Sequence, residues 1–208
     1  MTRPFFSLSI EAVDAERELV YFSGNQGGHT EKHLFVASFA PANAGVRRLT
    51  VDSGWHVTAV SAAAGVFVDV FSSIDQPPTT RLYRLPSLSP APPSDPVDAP
   101  TLLAVLSDSA QSDTRLTALL PALPAPRLDR LPLPADPLPL TGEAGGLHCA
   151  LYLPDEARFG PGPYPTVVSV YGGPGPQRVN NMWQLRVDLR AQRLAQDGYL
   201  GECESDGH

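Results

Sequence analysis

The sequence has few of the residues that build disulfide frameworks, metal sites or basic surfaces. Its 208 residues include two cysteines, Cys149 and Cys203, and a single lysine, Lys32. Two cysteines are too few for a disulfide framework or a zinc site, and we expect Cys149 to be a small buried side chain within a strand. The net charge is −7 and no basic cluster is present, so nucleic acid is not an expected partner.

Long apolar runs are also missing. No run approaches the roughly 20 residues that a membrane-spanning helix needs. Residues 1–6, Met-Thr-Arg-Pro-Phe-Phe, lack the apolar core and the small-residue cleavage site of a signal peptide. We therefore expect a cytoplasmic protein with no membrane partner.

The spacing of the histidines and glycines argues against a bound metal or nucleotide cofactor. Four histidines precede the C-terminal one, at His29, His33, His56 and His148, and their separations match no common zinc pattern. The glycine-rich run at 172–175 lacks the lysine and the spacing of a phosphate-binding loop. We expect neither a metal nor a cofactor.

What the sequence does contain is a regular series of short strand patterns over residues 5–85. Apolar, β-branched and aromatic runs alternate with polar turns, and no useful helical period interrupts them. The runs are Leu19–Ser23, His33–Ser38, Val46–Thr50, Val57–Ser61, Val66–Ser72 and Thr80–Leu85. This spacing predicts a sandwich, barrel or propeller. A faint repeat, closing first near Thr50 and again near Leu85, favours two four-stranded propeller blades.

The middle of the chain is rich in proline. Most of the 23 prolines fall between Pro86 and Pro139, which predicts an extended, irregular connection. Within it, the runs 102–106 and 116–120 are predicted as short helical pieces, and the following prolines end them.

From about residue 128 the pattern changes to α/β. Residues 147–153 are a predicted strand, and the valine-rich run at 167–171 is typical of a buried parallel strand that ends at a tight glycine turn. Asn180 or Asn181 can cap the helix that follows, and Gly198 is suited to its C-terminal end. The apolar face of that helix comprises Val187, Ala191, Leu194 and Ala195.

Tyr171 is the most informative residue of this region. It stands at the carboxyl end of the predicted parallel strand, where α/β sheets place their ligand-binding and catalytic groups. A further strand begins at Tyr199–Leu200, but residues 201–208 hold three carboxylates and no apolar run. A central parallel strand is normally apolar, so we expect this strand not to continue.

Several motifs, taken in order, resemble the prolyl oligopeptidase/dipeptidyl peptidase IV family of serine peptidases. Val-Tyr-Gly-Gly-Pro at 170–174 is followed by two asparagines and by Leu-Ala-Gln-Asp-Gly-Tyr at 194–199. Upstream, Leu-Val-Tyr-Phe-Ser-Gly at 19–24 and Arg-Arg-Leu-Thr at 47–50 look like the end of that family's β-propeller. The resemblance implies a β-propeller fragment followed by the N-terminal part of an α/β-hydrolase domain. The expected divisions are the last blades at 1–88, a connecting segment at 89–126, the hydrolase part at 127–200 and a divergent tail at 201–208.

The resemblance also implies a chemistry. Family members release N-terminal dipeptides, typically after proline, from peptide substrates by acyl-enzyme chemistry, and the full-length family is compatible with a homodimer. Tyr171 matches the tyrosine whose hydroxyl helps to form the oxyanion hole. No Gly-x-Ser-x-Gly sequence occurs in the chain, so the serine, acid and histidine of the triad are expected beyond Leu200. We therefore expect a fragment that is inactive alone. The alternative is a non-catalytic propeller remnant that binds a peptide or protein.

Overall fold

The first structural unit is a four-stranded antiparallel sheet. The computed structural model describes residues 7–26, 28–39, 45–87, 99–131, 147–170 and 178–205. The strands pair in chain order, and each joins the next by a turn. They are β1 (Ser7–Asp14), β2 (Leu19–Gly24), β3 (His33–Ser38) and β4 (Val46–Arg48). The predicted strands at 19–23, 33–38 and 46–50 are confirmed.

The second unit repeats this design. Its strands also pair antiparallel in chain order. They are β5 (Trp55–Ser61), β6 (Val66–Ser72), β7 (Thr79–Arg84) and β8 (Thr101–Asp108). Two successive four-stranded antiparallel sheets are therefore confirmed, although the second closes at Asp108 and not near Leu85.

The two sheets share a hydrophobic core. Large apolar side chains from both, including Tyr21, Leu34 and Phe67, are at most 2% exposed, and they form one cluster with Leu19, Val36, Leu49 and Leu85. A parallel bridge between Lys32 and Trp55 joins the backbones of the two sheets at the start of β3 and β5. Burial of apolar surface and this bridge together place β3 against β5.

The prediction of a helix at 102–106 is wrong, because this segment lies inside β8. A leucine- and valine-rich run without a clear period is compatible with either a helix or a strand. Backbone pairing with the open edge of β7 stabilises the strand here. The prediction at 116–120 is confirmed in its main part. Two short helices follow β8, α1 (Ser109–Ser112) and α2 (Thr114–Leu119), and a 3₁₀ turn covers Leu120–Ala122.

The third sheet is mixed, and its strand order is β11-β12-β10-β9. The strand β9 is antiparallel to β10, β10 is antiparallel to β12, and β12 is parallel to β11. The bounds are β9 (Arg127–Leu131), β10 (Leu147–Tyr152), β11 (Thr166–Val170) and β12 (Leu200–Ser205). Cys149 in β10 is fully buried, as the sequence predicts.

Three helices accompany this sheet: α3 (Glu156–Phe159), α4 (Trp183–Arg186) and α5 (Leu189–Gln196). The expected helix is thus interrupted, and Asp188, not Asn180 or Asn181, caps α5 by accepting from the amides of Arg190 and Ala191. Gly198 follows the end of α5 with a positive φ of 88°, as predicted. Ala195 packs with Ala150, Tyr152 and Val179 in a second core cluster. Within the described residues, no helix combines the length and apolar character needed to cross a membrane.

Two expectations for the mixed sheet are corrected. The strand β11 is not buried: Val167, Val168 and Val170 are 40%, 51% and 57% exposed, because β11 lies at the edge of the sheet and pairs only with β12. The strand that begins at Leu200 does continue, to Ser205. It lies between β10 and β11, so both of its backbone edges have partners. Those hydrogen bonds stabilise a strand even where its sequence is polar.

Candidate functional site

A buried polar network lies where the first two sheets meet. His33, at the start of β3, is 1% exposed. Its Nε2 lies 2.9 Å from Glu31 Oε2, and its Nδ1 lies 3.2 Å from the hydroxyl of Thr50. A neutral ring satisfies both contacts, because it donates from Nε2 to the carboxylate and accepts at Nδ1 from the hydroxyl. The Thr50 hydroxyl also accepts from the backbone amide of Leu34 at 3.1 Å.

The charges of this network follow from its surroundings. The hydrogen bond from His33 lowers the pKa of Glu31 to about 2, and a further hydrogen bond from Ser53 acts in the same direction against the effect of burial. Burial lowers the pKa of His33 below its usual 6.5, and the nearby Arg48 adds to that effect. At neutral pH the network therefore contains a carboxylate at Glu31 and a neutral imidazole at His33.

A second histidine pairs with a buried aspartate. His56 and Asp69 are 2% and 1% exposed, and the His56 Nδ1 lies 2.9 and 3.1 Å from the two carboxylate oxygens. The other ring nitrogen lies 2.9 Å from the carbonyl oxygen of Asp52. Each ring nitrogen of His56 therefore has a partner within hydrogen-bond distance. The rings of His33 and His56 are 5.0 Å apart.

The four histidines thus form two pairs, since His29 and His148 also lie 5.8 Å apart. In the part of the chain that the structure describes, no group of three histidine, cysteine, aspartate or glutamate side chains is arranged to hold a metal ion. The sequence reasoning missed the pair of His56 and Asp69. A signal for it exists in the hairpin register: His56 lies opposite Phe71, and Asp69 stands two residues away on the same face of β6.

The segment that leads into α4 is attached to three loops of the first two sheets. Asn181 donates from its backbone amide to the carbonyl of Thr30 at 2.7 Å. Its side-chain Oδ1 accepts from the amide of Ile74 at 3.1 Å, and its Nδ2 donates to the hydroxyl of Ser53 at 3.3 Å. These contacts join residues more than 100 positions apart, and nothing in the local sequence predicts them.

Arg186 reinforces the same junction. Its guanidinium donates to the carbonyls of Leu123 at 2.8 Å, and of Leu120 and Ile74 at 3.4 Å. It also lies over the ring of Trp183, 5.5 Å from the centroid. The Leu120 and Leu123 carbonyls belong to the turn after α2, so Arg186 joins this turn to α4 and to the β6–β7 loop.

Tyr171, the predicted oxyanion donor, lies outside the described residues, as do residues 172–177. The structure does describe both flanks. Val170 is the last residue of β11, whose neighbour in the sheet, β12, runs parallel to it. Val179, just after the gap, is fully buried in the second core cluster. Tyr171 is therefore adjacent in the chain to the carboxyl end of a strand whose neighbour is parallel.

Comparisons with known proteins define the class. The dipeptidyl peptidase IV (DPP IV) N-terminal region matches residues 5–78, which cover the first sheet and the first two strands of the second. The resemblance to the dipeptidyl peptidase IV family seen in the motifs is confirmed. The two four-stranded antiparallel sheets agree with the propeller-like N-terminal region of that family.

Individual relatives extend the match along most of the chain. Dipeptidyl peptidase 8 of Mus musculus is 35% identical over 191 residues, which are 90% of this chain and 19% of the relative. Dipeptidyl peptidase 8 of Homo sapiens is 34% identical over 195 residues, which are again 90% of this chain and 19% of the relative. A probable dipeptidyl peptidase 4 of Aspergillus flavus is 31% identical over 180 residues, which are 85% of this chain and 20% of the relative. The chain spans about a fifth of the length of these curated relatives.

Proposed function

We propose that the chain forms two blades of a β-propeller and the first strands of the α/β-hydrolase domain of a serine peptidase that releases N-terminal dipeptides. Peptides are the substrates of the whole protein, with a preference for proline as the second residue. The triad lies outside these 208 residues, so this chain alone does not catalyse the reaction. A cytoplasmic location belongs to this proposal.

The observation that carries the proposal is the mixed sheet that follows the two antiparallel sheets. Its parallel pair, β11 and β12, is connected through α4 and α5, which is the strand–helix–strand unit of α/β folds. In such sheets, ligands and catalytic groups lie at the carboxyl ends of the strands. Tyr171 directly follows the last residue of β11, and this supports its assignment to that edge.

Tyr171 has a defined role in this proposal. When a serine attacks a peptide carbonyl, negative charge develops on the carbonyl oxygen, and hydrogen-bond donors fixed in advance stabilise it. In α/β-hydrolases one such donor comes from the loop after an early strand of the sheet. The tyrosine hydroxyl is such a donor. Loss of one oxyanion donor typically costs about 100- to 1000-fold in kcat.

The test is an activity assay on a chimera. The segment of mouse dipeptidyl peptidase 8 that matches this chain is replaced by it, and hydrolysis of Xaa-Pro p-nitroanilides is measured beside the unmodified relative and the 208-residue chain alone. We expect turnover from the chimera and none from the chain. A folded chimera without turnover contradicts the proposed function. Turnover by the chain alone that serine reagents abolish contradicts the assignment of the nucleophile to another part of the protein.

A second candidate function rests on the outer edge of the second sheet. The strand β8 carries four large apolar side chains that are 41–56% exposed, Leu102, Leu103, Val105 and Leu106. An extended peptide can add to such an edge by backbone pairing, which suits a non-catalytic binding role. In that case Val105→Lys removes peptide binding by the chain, whereas the peptidase function predicts unchanged turnover in the same Val105→Lys chimera.

A further inference from the structure

We propose that a small group of contacts around Ile74 makes the mixed sheet and the two antiparallel sheets unfold as one cooperative unit. Ile74 lies in the β6–β7 loop, and the side chains of Asn181 and Arg186 bind its backbone from the α4 side. These three residues are called the Ile74 clamp below. The inference concerns the chain itself and does not depend on the peptidase activity proposed above.

The first observation is that the described residues contain two separate hydrophobic cores. One joins the two antiparallel sheets and includes Tyr21 and Phe67, and the other joins β10 to α5 and includes Ala150 and Ala195. Within the described ranges, no strand of the mixed sheet pairs with a strand of the other two sheets. Regions with separate cores can unfold separately, so their cooperativity has to come from contacts that cross the junction.

The β6–β7 loop offers a preformed partner for such contacts. The Ser73 hydroxyl accepts from the amides of Asp75 at 3.2 Å and Gln76 at 3.1 Å. The backbones of Ser73 and Gln76 also bond to each other in both directions. These bonds fix a tight turn within the loop. Ile74 lies inside this turn, and its amide and carbonyl both bond outside it.

The partners of Ile74 belong to the segment that forms α4. The Ile74 amide donates to Asn181 Oδ1 at 3.1 Å, and the Ile74 carbonyl accepts from Arg186 Nη1 at 3.4 Å. At the end of β6, the Ser72 hydroxyl accepts from the amide of Trp183 at 3.4 Å. Separation of α4 from the second sheet would break these three hydrogen bonds together. The Arg186 side chain is only 14% exposed, so its bond is made where water competes little.

The clamp is also connected to the core of the mixed sheet over short distances along the chain. Val179, two residues before Asn181, is fully buried in that core. The carbonyl of Leu185, next to Arg186, accepts from the hydroxyl of Tyr152 in β10. A displacement of the clamp is therefore a displacement of groups that pack on β10, which gives the two cores a contiguous physical link.

The experiment is native-state amide hydrogen exchange of the full 208-residue chain, measured by NMR at Val36 in β3 and at Ala150 in β10. In the unchanged chain the two protection factors should be equal, because both amides then exchange through global unfolding. In the variant that combines Asn181→Ala with Arg186→Ala, they should differ by about tenfold or more, since the hydrogen bonds to Ile74 are lost and one unit can unfold without the other.

The matched control is Arg193→Ala. Arg193 is an exposed arginine of α5 that bonds to Asp197 at the end of the same helix, so its removal should leave the two protection factors equal. Arg186→Lys keeps the charge but loses the planar group that bonds to several carbonyls. It should separate the two protection factors by less than the double variant does.

The comparison of the two amides distinguishes coupling from stability alone. A variant that only loses stability lowers both protection factors by the same factor, and that result for the double variant would overturn the proposal. Protection factors that already differ by about tenfold in the unchanged chain would overturn it too. If the double variant does not fold, Asn181→Ala and Arg186→Lys are each judged by the same comparison. Because hydrogen exchange involves no catalysis, an inactive chimera contradicts the proposed function and leaves this inference standing.

Discussion

The pair of His56 and Asp69 allows a quantitative test of what stabilises the second sheet where it meets the first. Both side chains are at most 2% exposed, and their closest contact is 2.9 Å. Asp69→Ala leaves a buried ring nitrogen without its acceptor. Removing one member of a buried pair costs about 3–5 kcal/mol, and a hydrogen bond to a charged group accounts for about 1.5–3 kcal/mol of that. We expect a loss of about 3 kcal/mol in the free energy of unfolding.

Urea denaturation followed by tryptophan fluorescence measures this loss. With a slope of about 2 kcal/mol per molar urea, the midpoint falls by about 1.5 M. His56→Ala should cost a similar amount, because it leaves the Asp69 carboxylate buried. The double variant should cost about 2 kcal/mol less than the sum of the single variants, since residues in direct contact are coupled.

The control is a second double-mutant cycle, in which Asp69→Ala is combined with Val57→Ala. Val57 is 50% exposed and follows His56 on the opposite face of β5, so these two changes should be additive within about 0.5 kcal/mol. If the His56 and Asp69 changes are equally additive, the two side chains do not form a coupled pair, and this account of the buried pair is refuted.

Two further predictions concern the same junction. The free energy of unfolding should fall as the pH falls, in two steps. The first step lies below pH 6.5, where His33 binds a proton in the unfolded but not in the folded chain, and the second runs from pH 4.5 towards 2, where Glu31 does the same. Thermal unfolding of the Glu31→Gln variant between pH 3 and 7.5 should show the first loss but not the second. Gly54→Ala should destabilise by about 3 kcal/mol or more, because its Cβ would lie 2.5 Å from the Ser72 carbonyl oxygen at a φ of 149°. Gly65→Ala, with a φ of 66° and open space around its Cβ, should cost only about 1–2 kcal/mol, and equal losses for the two would contradict the clash.

Much of the fold was accessible from the sequence because strands with a buried face have a strong pattern. The run at 66–72 alternates toward the core, and its predicted bounds agree with those of β6. The residues of β8 have no such alternation, since the side chains there are mostly exposed. Their structure depends on the open edge of β7, which is a tertiary effect that local sequence does not contain.

The residues of the candidate site also differ in how far the sequence alone predicts them. The turn that the glycines predict at 171–174 lies outside the described residues and stays a prediction, whereas Asn181 looked like a helix cap. Its side chain instead bonds to Ser53 and Ile74, partners that only the folded chain brings near. The polar sequence of β12 was misleading for a related reason. Two neighbouring strands satisfy its backbone, and this outweighs the low apolar content of the segment.

The most direct test of the central claim is the turnover number of the chimera with and without Tyr171→Phe. This change removes one hydroxyl and leaves the ring. If Tyr171 stabilises the oxyanion of a dipeptidyl peptidase, kcat for an Xaa-Pro p-nitroanilide should fall by about 100-fold or more while KM changes little. Equal kcat values for the tyrosine and phenylalanine forms would contradict the claim that this chain contributes a catalytic group.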